Sequence, residues 1–150
     1  MSEIGEYKDL TYLRSYAIDD KGTTEIDDSI SLEVTESKYK IWIHIASPAH
    51  FIEKESTIDK EARKKSQSLY LSSTIETMLP EDVAYEKISL IPNNKRLALS
   101  GGIILSNLGE ILDYEIVQSL VKTTYSLTYD DADILIDYAP NEEKDLNIIS

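Results

Sequence analysis

Five carboxylates crowd into ten positions of the segment AIDDKGTTEIDDSIS, residues 17–31: Asp19, Asp20, Glu25, Asp27 and Asp28. Where this stretch is extended near its end, Glu25 and Asp27 share a side, because successive side chains alternate. A loop through Lys21, Gly22 and Thr23 would fold Asp19 back beside them. Carboxylates forced together repel, so such a cluster is expected to hold a divalent cation or to keep a proton. Oxygen-only ligands favour Mg²⁺ or Mn²⁺ over zinc, which prefers His and Cys. An EF-hand fits poorly, since the run from Asp19 lacks an oxygen ligand at its third position and has Gly at the fourth instead of the sixth. On composition alone, a solvated acidic turn before a strand is the plainer account. The surrounding elements must decide.

Residues 29–34, SISLEV, put Ile30, Leu32 and Val34 on one face, and residues 39–46, YKIWIHIA, do the same with Tyr39, Ile41, Ile43 and Ile45. The polar residues 35–38 between these two strands suit a hairpin turn. Ser56 with Asp59 three positions on predicts a helix start, and Ile58, Ala62 and Leu69 follow at roughly helical spacing in a basic run. Residues 96–106 and 110–126 are rich in β-branched and aromatic side chains, with Asn107, Leu108 and Gly109 as the turn of a second hairpin. Thr128 with Asp131 caps a further helix ending before Pro140, and Asn141 opens another with Leu146 and Ile149 on one face. The chain stops while that last helix is still apolar, which reads as truncation at the C-terminus.

The 150 residues suit one packed core, so a single domain spanning residues 1–150 is expected. With 28 acidic residues against 15 basic ones the net charge is −13, which argues against a basic surface gripping a polyanion. Much of this charge is local, since residues 128–150 alone carry seven acids and one base. There is no Cys, so disulfides and thiolate metal sites are excluded. The first ten residues lack the basic start and apolar stretch of a signal peptide, and no apolar run approaches the ~20 residues of a membrane span. The expectation is a soluble, cytoplasmic protein without membrane contact.

The sequence resembles the N-terminal part of the RNB catalytic domain of the ribonuclease II / ribonuclease R exoribonucleases, from about Asp9 to Ser150. That family's acidic signature has an Asp in an Ile-Asp pair, an acid six positions later, one residue, then two adjacent Asp; here these are Asp19, Glu25, Asp27 and Asp28. IWIHIASPAHFI from Ile41 resembles the family's His-Ile-Ala-Asp strand and turn, and DKEARKKSQSLYL from Asp59 its next helix. MLPEDVAYEKISLIPNNKRLALS from Met78 and TYSLTYDDADILI from Thr124 resemble later segments in the same order. The phrasing KIWIH and TTYSLTY is similar to the cyanobacterial and plastid branch.

The resemblance implies an α+β fold with a largely antiparallel twisted sheet and short flanking helices. It implies Mg²⁺-assisted hydrolysis of single-stranded RNA from the 3′ end to nucleoside 5′-monophosphates, Mn²⁺ being the other candidate ion. Asp19 and Asp28 are then direct metal ligands, Asp27 an essential acid orienting water or metal, and Glu25 a further ligand. Tyr70 and Tyr129 fall where the family holds the 3′-terminal nucleotides. Two departures stand out: Glu25 where many members have Asp, and Ser47 in place of the Asp after His-Ile-Ala. The family's later Ser-Pro-x-Arg-Arg-Tyr segment and its OB-type RNA-binding domains do not occur in these residues, and Arg14, Arg63 and Arg96 cannot be assumed to replace that phosphate-clamping Arg. His44 and His50, on a strand and its exit turn, are expected to be structural. The rival readings are a non-catalytic RNB-derived module, holding a protein or a structural cation, and a plain acidic interaction domain.

Overall fold

The computed structural model describes residues 7–34, 38–72, 74–106 and 108–138. The strands are β1 (Lys8–Asp9), β2 (Ser15–Asp19), β3 (Asp28–Val34), β4 (Tyr39–Ala46), β5 (Leu69–Tyr70), β6 (Ile75–Glu76), β7 (Lys95–Leu105), β8 (Ile111–Lys122) and β9 (Tyr125–Thr128). The helices are α1 (Thr57–Lys65) and α2 (Tyr129–Tyr138), with a 3₁₀ turn at Pro48–His50 and a π-helical segment at Asp82–Ile88. Seven strands form one sheet in the order β1-β8-β7-β4-β3-β2-β9, while β5 and β6 pair apart. The four inner pairings are antiparallel and the two edge pairings, β1 with β8 and β2 with β9, are parallel. The largely antiparallel α+β architecture is therefore as expected, with a mixed sheet at its margins.

Both expected strand pairs form, β3 with β4 from the alternation and β7 with β8 from the β-branched and aromatic content. The turn at residues 35–37, Asn107 and everything after Tyr138, including the predicted stop before Pro140 and the helix from Asn141, lie outside the described residues. Residues 110–126 are not one strand. β8 ends at Lys122, and after Thr123 and Thr124 the chain leaves for the opposite edge, where Tyr125–Thr128 pairs with β2. Thr124 N–H donates to Ser15 O, which anchors that switch. Propensity is blind to it, because β-branched residues continue through the break.

α1 begins where expected, with the Ser56 hydroxyl accepting from Asp59 N–H at 3.2 Å. It ends at Lys65, with Ser66 left-handed at φ 67°, so Leu69 belongs to β5 and not to the helix face. α2 carries a reciprocal cap: Asp131 N–H donates to Thr128 Oγ1 at 3.1 Å and Thr128 N–H to Asp131 Oδ2 at 2.9 Å.

The sheet's two faces differ. On the covered face, Ser15, Ser31, Trp42 and Gly102 lie on one rung and Ser29, His44 and Ser100 on the next. Leu10 and Leu13 after β1, with Ile26 and Leu90 from the connections, pack over it with Trp42, Ala98 and Val121. Gly102 leaves room for its neighbour on β4: a Cβ there would come within 2.7 Å of the Trp42 ring. A second core, Ala62, Leu79, Val83, Ala84 and Ile88, holds together the excursion between β4 and β7 that carries α1, the β5–β6 hairpin and the π-helical segment.

Candidate active site

β2 and β3 are antiparallel neighbours, so the end of β2 brings Asp19 beside the start of β3 with Asp28. The loop between them turns at Lys21 and Gly22, with Gly22 at φ +87° and Thr23 N–H donating to Asp20 O. Its return is pinned by Ser89, whose hydroxyl accepts from Ile26 N–H at 3.0 Å and donates to Thr24 O at 2.8 Å. Leu90 N–H donates to Ile26 O, and Ala46 N–H to Asp27 O. The excursion thus fixes Glu25 and Asp27 from one side while the sheet fixes Asp19 and Asp28 from the other.

Asp19, Glu25, Asp27 and Asp28 line one cavity of about 440 Å³ together with Tyr70. Glu25, Asp27 and Tyr70 also line an adjoining cavity with Ser68, Met78 and Leu79. Ser68 donates to Glu25 Oε2 at 3.1 Å and accepts from Met78 N–H at 2.9 Å, which ties the carboxylate to the excursion. Tyr129 lies apart, in a neighbouring cavity with Asp20, Lys21 and Thr128. The acids and Tyr70 are thus brought together, and Tyr129 is not in their cavity. Ser68 and Ser89 were invisible to sequence reasoning: a serine carries no spacing signal, and these act only through a loop distant in the chain.

The electrostatics follow from crowding. Desolvation, then the charges of Glu25, Asp19 and Asp28, push the Asp27 carboxyl up to about 6. Desolvation and then Asp28 and Asp20 raise Asp19. Desolvation, and then Glu25 and Asp27, raise the Tyr70 hydroxyl. Among the described residues lining the acid cavity, Lys21 is the only cation.

The donor chemistry suits a hard dication, since the cluster offers only carboxylate oxygens and Asp19 Oδ2 is buried with no hydrogen-bond partner. Closure is weaker: no three acidic or His side chains among the described residues converge tightly enough to enclose an ion. The acids ring the cavity without forming a cage.

Neither His is placed as a ligand. His44 Nε2 meets Ser31 Oγ at 2.8 Å and Nδ1 meets Ser100 Oγ at 2.7 Å, in the covered face of the sheet. His50 Nδ1 meets Tyr7 OH at 2.9 Å at the surface. Arg96 donates to the carbonyls of Ser89 and Glu86, and Arg63 pairs with Asp59, so neither points into the acid cavity. Ser47, at the position of the family's acid, is half-buried and its N–H donates to Leu97 O.

A largely antiparallel sheet thus presents four acids at one end of the β2–β3 pair. The RNB domain family matches residues 7–149, and the chain belongs to that family. It is 38% identical over 143 residues to an uncharacterised ribonuclease of Synechocystis, covering 95% of this chain and 22% of that protein. It is 36% identical to the chloroplastic/mitochondrial ribonuclease II of Arabidopsis thaliana, covering 95% of this chain and 18% of that one. The fold matches RNase R of Mycoplasma genitalium, solved in complex with double-stranded RNA, with a TM-score of 0.83 at 25% identity over 93% of this chain and 25% of that one. It also matches yeast Ssd1, a pseudonuclease, with a TM-score of 0.78 at 20% identity over 87% of this chain and 16% of that one; this shows the fold alone. The chain spans about a fifth of the length of the curated relatives it matches.

Proposed function

We propose that this chain is the acid-bearing part of a 3′→5′ exoribonuclease, in which it works with a longer parent to hydrolyse single-stranded RNA to nucleoside 5′-monophosphates. The observation that carries this is the convergence of Asp19, Glu25, Asp27, Asp28 and Tyr70 on one cavity in a chain of the RNB family. Asp19, Asp28, Glu25 and Asp27 are the residues that would hold Mg²⁺ or Mn²⁺, which when bound polarises the phosphoryl oxygens and lowers the pKa of the attacking water. Asp27, poised near pH 6, releases its proton readily once positive charge arrives, so it orients a water or completes the ligand set. Tyr70, exposed at the mouth of the cavity, offers its ring to a terminal base, and stacking of ~1–3 kcal/mol per base is indifferent to base identity. Tyr129 serves the strand further out, across Asp20 and Lys21. Lys21 alone is a weak substitute for a phosphate-clamping Arg, so that Arg and the OB-type RNA-binding domains belong to the parent, and the 150 residues alone are inactive.

The test uses a 3′-overhanging RNA with Mg²⁺, given to the parent enzyme and to its Asp27→Asn form. A ladder of monophosphate release that disappears in the variant supports the reading, and equal ladders would sink it. Calorimetry of Mn²⁺ on the 150-residue chain, with and without Asp19→Asn and Asp28→Asn, separates a working ion site from an inert acidic loop. One observation favours a second reading, a non-catalytic RNB-derived module: the acids do not close on one another among the described residues. Under it, the module holds a protein or a structural cation, and the parent releases no nucleotide.

A further inference from the structure

We propose that Lys21 is the residue of this chain that holds the last internucleotide phosphate of the RNA, with Tyr70 and Tyr129 taking the bases on either side of that linkage. The inference deepens the exoribonuclease reading and rests on it for the class of substrate.

Strand pairing puts Lys21 on a divide. β2 and β9 run parallel with Asp19 level with Thr128, so the turn after β2 and the start of α2 leave the sheet side by side. In that turn, residues 20–23, Thr23 N–H donates to Asp20 O at 3.1 Å and Gly22 has φ +87°. A positive φ at the third position marks a type II turn, which carries Lys21 exposed at its second position. Asp20 and Lys21 therefore line two cavities of similar size, about 440 and 450 Å³. One holds the acid cluster and Tyr70, the other Tyr129, Asp130 and Asp131.

Among the described residues, the two linings together carry seven carboxylates and one cation. Even so, Lys21 enters no ion pair among the described residues. Asp131, whose charge it feels, is already engaged: it accepts from Thr128 N–H at 2.9 Å and from Thr128 Oγ1 at 2.7 Å, and those bonds, more than Lys21, keep its carboxyl low. The ammonium is left as a compact charge with three donors to give. The two rings are open as well. Tyr70 is 63% and Tyr129 57% exposed, and neither makes a ring contact among the described residues. Two open rings on either side of an uncommitted cation match one step of single-stranded RNA, base then phosphate then base. A phosphate crossing between two acid-lined cavities meets repulsion on both sides, and Lys21 supplies the opposite charge at the crossing.

The test uses the 150-residue chain and a 2′-O-methylated adenosine trinucleotide in Mg²⁺ buffer, with Kd read from the amide shifts of Gly22, Thr23 and Tyr129. Ribose methylation removes the hydroxyl that would cleave a neutral linkage. A methylphosphonate, which takes away the phosphate charge, is placed either at the last linkage or at the one before it. On the fully charged ligand, Lys21→Met is expected to raise Kd on the order of 3- to 10-fold and to lower the slope of log Kd against log salt by about 0.7. Lys21→Arg should keep most of the affinity. On the ligand with a neutral last linkage, Lys21→Met should change Kd by less than about 2-fold, whereas neutralising the preceding linkage should leave the full effect in place. A loss that persists undiminished on the neutral last linkage, or that vanishes only on the other, would overturn the proposal. So would unchanged affinity for the charged ligand, or no saturable shift at these amides, and Lys21 would then serve only to relieve repulsion among the acids. The readout is binding alone, so a parent that releases no nucleotide would refute the exoribonuclease reading and leave this result as it stands.

Discussion

The two faces of one sheet reverse the ordinary relation between side-chain polarity and burial. The covered face holds Ser15, Ser29, Ser31, Ser100 and Ser119 around His44 and Trp42, each 4% exposed or less. The open face holds Ile30, Leu32, Ile43 and Ile45. Burial here follows from which face the connecting segments cross. Polar groups survive there because they satisfy one another. Ser119 donates to Ala98 O, and each hydroxyl donates once if Ser100 donates to Ser119, His44 Nδ1 to Ser100, and Ser31 to His44 Nε2. Lys8 and Lys40 lie over the Trp42 ring and pair with Glu115, while Trp42 Nε1 donates to Glu33. The lesson is that a completed polar network can occupy a core, whereas an aliphatic face with nothing over it stays open.

That contrast can be attacked in order of expected effect. Trp42→Ala removes a fully buried ring from the covered face, and should cost about 3–5 kcal/mol in the denaturant-derived stability of the isolated chain. His44 comes next. Burial lowers its pKa from 6.5 to about 4, so between those values the unfolded chain binds a proton that the folded chain refuses. Its contribution is complete above pH 6.5 and is lost as pH falls towards 4, amounting to about 3 kcal/mol over that window. Comparing pH–stability curves of the wild type and His44→Gln checks this; parallel curves would remove His44 from the account.

Ser100→Ala should cost about 1–3 kcal/mol, because it strips partners from both His44 and Ser119 inside a dry layer. At the small end, Ile43→Thr should change the stability of the isolated chain by no more than ~0.5 kcal/mol, as for other surface substitutions. A cost as large as that of Ser100→Ala would mean that the aliphatic face is already covered and that the contrast between the faces is false.

The fold was legible where local rules suffice. Alternation in residues 29–46 marked β3 and β4, and the Ser56–Asp59 and Thr128–Asp131 spacings marked the helix starts, because caps and pleats act within a few residues. The break between β8 and β9 was not legible, since it depends on pairing with β2, more than a hundred residues earlier. The site divides in the same way. The spacing of Asp19, Glu25, Asp27 and Asp28 named the acids, but Ser68 and Ser89 hold them through contacts from the excursion, and Tyr129 proved to face a different cavity from Tyr70.

The sequence by itself determined which side chains alternate, which acids are close in the chain, and the family to which the chain belongs, because periodicity, spacing and ordered motifs are properties of the chain alone. Only the tertiary structure decided which face of the strands is covered, how far the acids close on one another, and which of them resists losing its proton. Those outcomes depend on distance and dielectric between residues that the chain brings together only on folding.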